Sequence, residues 1–68
     1  MEQELKAYDD YNRIRRNLLL LDVKYQEVVA LRYFEQKTNH EICEILDKNE
    51  GTVKSLLSRG LEKLRNML

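Results

Sequence analysis

The sequence predicts an all-α protein, a small bundle of about four helices joined by short connections. Three observations carry this expectation. Its 68 residues include no proline and only two glycines, so little in the chain interrupts a helix. Leu, Glu, Lys and Arg, all good helix formers, are abundant. Apolar residues recur at steps of three or four, and no stretch alternates with the period of two that a half-buried strand requires. A chain of this length holds one core that only just outweighs conformational entropy, so a cofactor in a roomy pocket is not expected.

Leu5, Tyr8, Tyr11, Ile14, Leu18 and Leu21 mark one face of an N-terminal helix running to about residue 20. The run Leu18 to Leu21 is far shorter than the roughly 20 apolar residues that span a bilayer, and reads as a helix end packed on the core. Asp22 offers an N-cap for a second helix near Lys24 to Glu35, with Val28, Val29 and Leu31 as its core side. Gln36 and Lys37 begin a turn. Thr38 followed by Glu41 is a capping box, hydroxyl and carboxylate each satisfying a backbone N–H that the helix leaves unpaired. The third helix then reaches about Leu46, with Ile42, Cys43, Ile45 and Leu46 inward. Asp47, Lys48 and Asn49 form a tight corner in which Asn49 is a good N-cap and Asp47 or Asn49 tolerates a left-handed backbone. A last helix runs from Glu50 to near the C-terminus. A join of about three residues between the third and fourth helices is helix-turn-helix spacing. The chain therefore divides into an N-terminal or linker helix, residues 1–21, and a helix-turn-helix domain, residues 22–68.

The last helix has two unlike sides. Val53, Leu56, Leu57, Gly60, Leu61, Leu64, Met67 and Leu68 fall on one arc, which must be buried. The opposite arc collects Lys54, Ser55, Ser58, Arg59, Glu62, Arg65 and Asn66, and its first two turns hold donors and small side chains without an acid. Such a surface suits the DNA major groove, where the front of a recognition helix reaches base edges. It is equally what a solvated amphipathic helix shows. Gly51, at the second helical position, would let backbone N–H groups approach a phosphate, and Thr52 can add its hydroxyl. Gly60 costs roughly 1 kcal/mol relative to alanine in a helix interior, so close passage of another helix is expected on its side.

Charge supports the same end of the molecule. The 12 basic and 12 acidic residues cancel, but residues 1–50 hold 8 Lys/Arg against 11 Asp/Glu while residues 51–68 hold 4 against 1. One cysteine, Cys43, cannot form an internal disulfide, and with no signal-peptide pattern a reducing, cytoplasmic setting away from membranes is expected. His40 has no second His and one Cys for company, too few for a zinc set, so no metal is expected. With no catalytic triad, Gly-rich phosphate loop or carboxylate pair, catalysis is not expected either.

The text LDVKYQEVVALRYFEQKTNHEICEILDKNEGTVKSLLSRGLEKLR, residues 21–65, resembles the C-terminal domain, region 4, of bacterial RNA polymerase sigma factors, especially the extracytoplasmic-function group. LRYFE, EICEIL, and EGTVKS followed by LSRGLEKLR carry the resemblance together. It implies a helix-turn-helix that reads double-stranded promoter DNA at the -35 element, with the flap of the polymerase beta subunit, and an anti-sigma factor, as protein partners. Carried across by position, it implies base-facing Lys54, Ser55, Ser58 and Arg59, Gly51 and Thr52 near the phosphates, and further phosphate contacts from Arg32 and Thr38. Three positions depart from the family pattern: Leu56 stands where arginine is frequent, Asp47 where glycine is, and Lys48 where the corner is usually apolar. The family's second, promoter-melting domain has no room in 68 residues, so the chain is expected not to start transcription alone. Two other readings compete with promoter recognition: a phage or response-regulator type of helix-turn-helix regulator, and a purely protein-binding helical module.

Overall fold

The computed structural model describes residues 11–68, and the expected contacts of Leu5 and Tyr8 lie outside them. Within that range the chain is helical with no strand. The helix α1 covers residues 11–18 and ends in a turn at residues 19–20. Helix α2, Val23–Val29, passes directly into one π-helical turn, Ala30–Phe34. Helices α3, Asn39–Leu46, and α4, Glu50–Met67, complete the order.

Local chemistry sets each boundary. Asp22 occupies the N-cap of α2, but its side chain makes no capping bond; only its carbonyl accepts, from the N–H groups of Tyr25 and Gln26. The capping box is present at α3: Thr38 Oγ1 accepts from the Glu41 N–H at 3.1 Å, and Glu41 Oε1 accepts from the Thr38 N–H at 3.0 Å. Hydrogen bonding to the carboxylate by the Thr38 N–H foremost, and then by the Thr38 side chain, holds the Glu41 carboxyl below its ordinary pKa because it favours the charged form. Asp47 ends α3 with φ 53° and ψ 52°, the left-handed conformation expected of the corner. Asn49 then caps α4, its Oδ1 accepting from the Thr52 N–H at 2.7 Å.

The core is one cluster. Leu18 of α1 and Leu21 join Tyr25, Val28 and Val29 of α2, Ile42 of α3, and Val53, Leu57 and Leu64 of α4. Ile14 packs at its edge, and the Tyr11 ring meets Phe34 edge-on at a centroid distance of 5.0 Å. Helix α2 lies along α4 and crosses it at Gly60, which is buried. A Cβ at Gly60 would stand 3.1 Å from Val29 Cγ2 and 3.3 Å from Tyr25 Cβ, so the close passage expected of this glycine is present. Lys24 and Lys63 place their ammonium groups 5.1 and 5.6 Å from the Tyr25 ring centroid.

Several expectations need correction. The second helix does not stay α-helical to Glu35: its last turn widens to π, and Gln36 follows with φ 57°. Ile45 is 53% exposed rather than inward, because α3 is covered only along the arc of Ile42, Cys43 and Leu46. Met67 and Leu68 are exposed, lying beyond Leu64, the last buried position of α4. Of the leucine run, Leu18 and Leu21 are buried while Leu19 and Leu20 face outward, as helical steps of three dictate. Among the described residues no helix is long and apolar enough to cross a membrane.

Two measurements test this packing. Gly60→Ala gains about 1 kcal/mol of helix propensity but sets a methyl against Val29 and the poorly movable Tyr25 Cβ, so urea unfolding is expected to show a net loss of about 1 kcal/mol. Gly60→Val is expected to abolish cooperative unfolding. At the capping box, Thr38→Ala should cost about 0.5–2 kcal/mol at neutral pH. Because the folded-state pKa of Glu41 is depressed, its contribution is present above the ordinary glutamate value and is lost as pH falls through the lowered one. The stability gap between the natural chain and Glu41→Ala should therefore close on acidification.

Candidate nucleic-acid interface

The front of α4 is built by the corner before it. The left-handed Asp47 turns the chain, with the Lys48 N–H donating to the Cys43 carbonyl at 3.0 Å, and Asn49 starts the next helix at once. Helices α3 and α4 pack on each other across this corner, with Ile42 and Val53 fully buried between elements. Rotation about α4 is then set by its buried side. At about 100° per residue, Val53, Leu57, Gly60 and Leu64 occupy an arc about 60° wide. Lys54, Ser58, Gly51, Ser55, Arg59 and Thr52 fall on an arc about 160° wide, centred nearly opposite.

All six of these residues are exposed. Neither Lys54 nor Arg59 enters an ion pair with a described residue; on α3, His40 Nε2 lies 3.0 Å from Glu44 Oε1. Leu56, at the frequent arginine position, is half-buried and packs at the core edge, so it supplies packing there rather than a cation.

The two glycines of α4 differ sharply. A Cβ at Gly51 would meet Asn49 Oδ1 at 3.5 Å, an ordinary contact, and its backbone is right-handed helical. Nothing inside the fold requires glycine there. The capping bond of Asn49 takes the Thr52 N–H, which leaves the Glu50 and Gly51 N–H groups as donors at the helix front.

The two remaining sites lie on other elements. Arg32 is exposed on the π turn; its Nη1 donates to the Lys37 carbonyl at 3.4 Å, and its guanidinium carbon lies 5.9 Å from the Tyr33 ring centroid. Thr38 is exposed at the start of α3, where its hydroxyl oxygen already accepts the capping bond. Arg32 thus reaches across to the loop that precedes Thr38, a connection for which the sequence carried no signal, since it depends on the π turn and on the left-handed Gln36. Cys43 is half-buried, and the described residues contain no group of three or more His, Cys, Asp or Glu side chains that could hold a metal ion.

This arrangement matches a known family model, sigma-70 region 4, over residues 11–64. The chain belongs to the sigma-70 region 4 family. In that family the helix-turn-helix is the module that reads the -35 promoter element. Relatives of this region 4 include the ECF RNA polymerase sigma factor SigW of Bacillus subtilis (strain 168), 42% identical over 57 residues, 84% of this chain and 30% of that protein. The RNA polymerase sigma-E factor of Streptomyces coelicolor is 35% identical over 68 residues, 100% of this chain and 38% of that protein. The present chain thus spans about a third of the length of these relatives. Among solved structures, a chain of the RsbN-BldN complex superimposes with a TM-score of 0.82 at 27% identity, over 97% of this region 4 and 48% of that chain.

If the interface is the front of α4, Gly51 should separate stability from binding. Gly51→Ala is expected to leave the fold as stable or up to about 1 kcal/mol more stable in urea unfolding. Duplex affinity should nonetheless fall, since the added methyl holds a phosphate away from the helix front.

Proposed function

We propose that this region 4 docks the front of α4 in the major groove of the -35 promoter element, as part of an RNA polymerase sigma factor of the extracytoplasmic-function group. The observation that carries the proposal is the outward arc of Lys54, Ser55, Ser58 and Arg59, free of acids over the first two turns and set opposite the buried side of the same helix. In this reading Arg59 and Lys54 reach guanine acceptors or flanking phosphates, and Ser55 and Ser58 are small enough to let the helix sit deep. Gly51 and Thr52 supply a backbone N–H and a hydroxyl to one phosphate. Arg32 and Thr38 reach the backbone beside it from the π turn and the start of α3.

The protein partners in this reading are the RNA polymerase core, through its beta-subunit flap, and an anti-sigma factor. An apolar groove of about 340 Å³ between α1, the π turn and α4, lined by Tyr11, Ile14, Phe34 and Leu61 among others, is the candidate seat for the flap. Residues 22–68 would carry recognition, while α1 contributes Leu18 to the shared core and one wall of that groove.

Selection of bound duplexes from a random pool at two salt concentrations tests the proposal. A single asymmetric motif is expected, with affinity falling steeply as salt rises because phosphate contacts release counterions. Arg59→Ala should cost about 1–3 kcal/mol on the selected site and relax preference at one base pair. Unchanged affinity and unchanged preference in that variant would refute the assignment of Arg59.

A further inference from the structure

The outward side of α1 sets exposed arginines beside exposed leucines. Residues 11–21 contain three arginines and no acid. Arg13, Arg15 and Arg16 are all exposed, and on a helical projection they share one side with Asn12, away from the side of half-buried Ile14 and buried Leu18. The same side continues into Leu19 and Leu20, which are 69% and 73% exposed. A shallow depression lined by Asn12, Arg15, Arg16 and Leu19 joins the charged part to the apolar part.

The two leucines are held outward by a fixed backbone. The Leu20 N–H donates to the Asn17 carbonyl at 3.0 Å and the Leu21 N–H to the Leu18 carbonyl at 3.1 Å. Gln26, reaching back from α2, donates its side-chain amide to the carbonyls of both Leu19 and Leu21. With Leu18 and Leu21 locked in the core, the turn cannot roll Leu19 or Leu20 inward without breaking these bonds. A surface already held in its binding shape loses little freedom when a partner covers it.

We propose that this side of α1 is a docking surface for an acidic amphipathic helix of a protein partner, its carboxylates on Arg13, Arg15 and Arg16 and its apolar residues on Leu19 and Leu20. The arginines by themselves would suit any polyanion, including duplex DNA. The leucines decide between them, since a phosphate backbone leaves them in water whereas an acidic helix with an apolar stripe covers both. This surface is separate from the front of α4 and from Arg32 and Thr38, and it adjoins the apolar groove where Arg15 and Leu19 share a depression with Tyr11 and Phe34; its proposal does not depend on the promoter reading.

The test uses the full chain and a synthetic peptide of three heptads with Leu at a and d, Glu at e and g, and Ala or Gln elsewhere; a matched peptide has Lys at e and g. Amide chemical-shift mapping should place the Glu peptide on residues 12–20, and the Lys peptide should not bind. Arg15→Glu combined with Arg16→Glu, and separately Leu19→Ser combined with Leu20→Ser, should each weaken binding by roughly tenfold or more. Circular dichroism and affinity for the selected duplex should stay as in the natural chain for both. The proposal is overturned if the Glu peptide fails to bind, if its shifts centre elsewhere, or if either double variant binds it unchanged. It is equally overturned if this surface takes a random-sequence duplex or phosphatidylglycerol vesicles in preference to the peptide. Loss of promoter binding in Arg59→Ala, or its persistence, bears on α4 alone and leaves this result unaffected.

Discussion

The bundle depends on how closely α2 crosses α4. At Gly60 the two backbones approach until a single additional carbon would stand 3.1 Å from Val29 Cγ2. That approach lets Val53 and Leu57 on one side of the crossing and Leu64 on the other reach the same core as Val28 and Val29. It also fixes the roll of α4 about its own axis. Since the interior is close-packed, a helix held this way has no second rotation in which its leucines remain buried. The outward direction of Lys54 thus depends on packing some two turns away, and that of Arg59 on the glycine next to it.

Electrostatics and capping then prepare the front of the helix. Asn49 ends the corner and starts α4 in one residue, and the bond it makes to Thr52 leaves the neighbouring donors of the first turn available. Thr38 and Glu41 do the equivalent for α3 using each other, so that start of helix is self-satisfied. The overall balance of charges conceals this organisation, because 11 of the 12 acids fall within residues 1–50 while residues 51–68 hold 4 Lys/Arg against 1 acid. A protein with no net charge can still present a strongly sided field to a polyanion at short range, where screening by salt is incomplete.

Much of this was legible in the sequence because the informative signals were local. The capping box and the Asn49 cap depend on residues at most three apart and are present as read, and the left-handed residue of the corner, which the sequence left between Asp47 and Asn49, is Asp47. Gly60 was legible for another reason: an interior glycine in a helix needs a neighbour to justify it. What the sequence did not disclose depends on which face of a helix finds a partner. Ile45, Met67 and Leu68 have the composition of core residues, but α3 is short and α4 extends past its last buried position at Leu64, so no described residue covers them. The π turn at Ala30–Phe34 has no composition of its own; it arises where Phe34 must meet Tyr11 while Arg32 turns toward the following loop. For the outward residues of α4, periodicity supplied the direction, and the family likeness supplied the reason to regard that direction as a reading surface.

The partition of α4 into a buried side and an outward side has an evolutionary corollary. Where the outward side reads DNA as proposed, exchange of one outward side chain for another would alter which bases are favoured while the leucine side, the crossing glycine and the caps stay untouched, so target preference would drift by single substitutions at almost no cost to folding. Insertion or deletion of one residue between Val53 and Leu64 has the opposite character, rotating one half of the helix against the other by about 100° and severing lineage from fold in a single step. Diversification of such modules should therefore proceed by replacement within a helix of constant length.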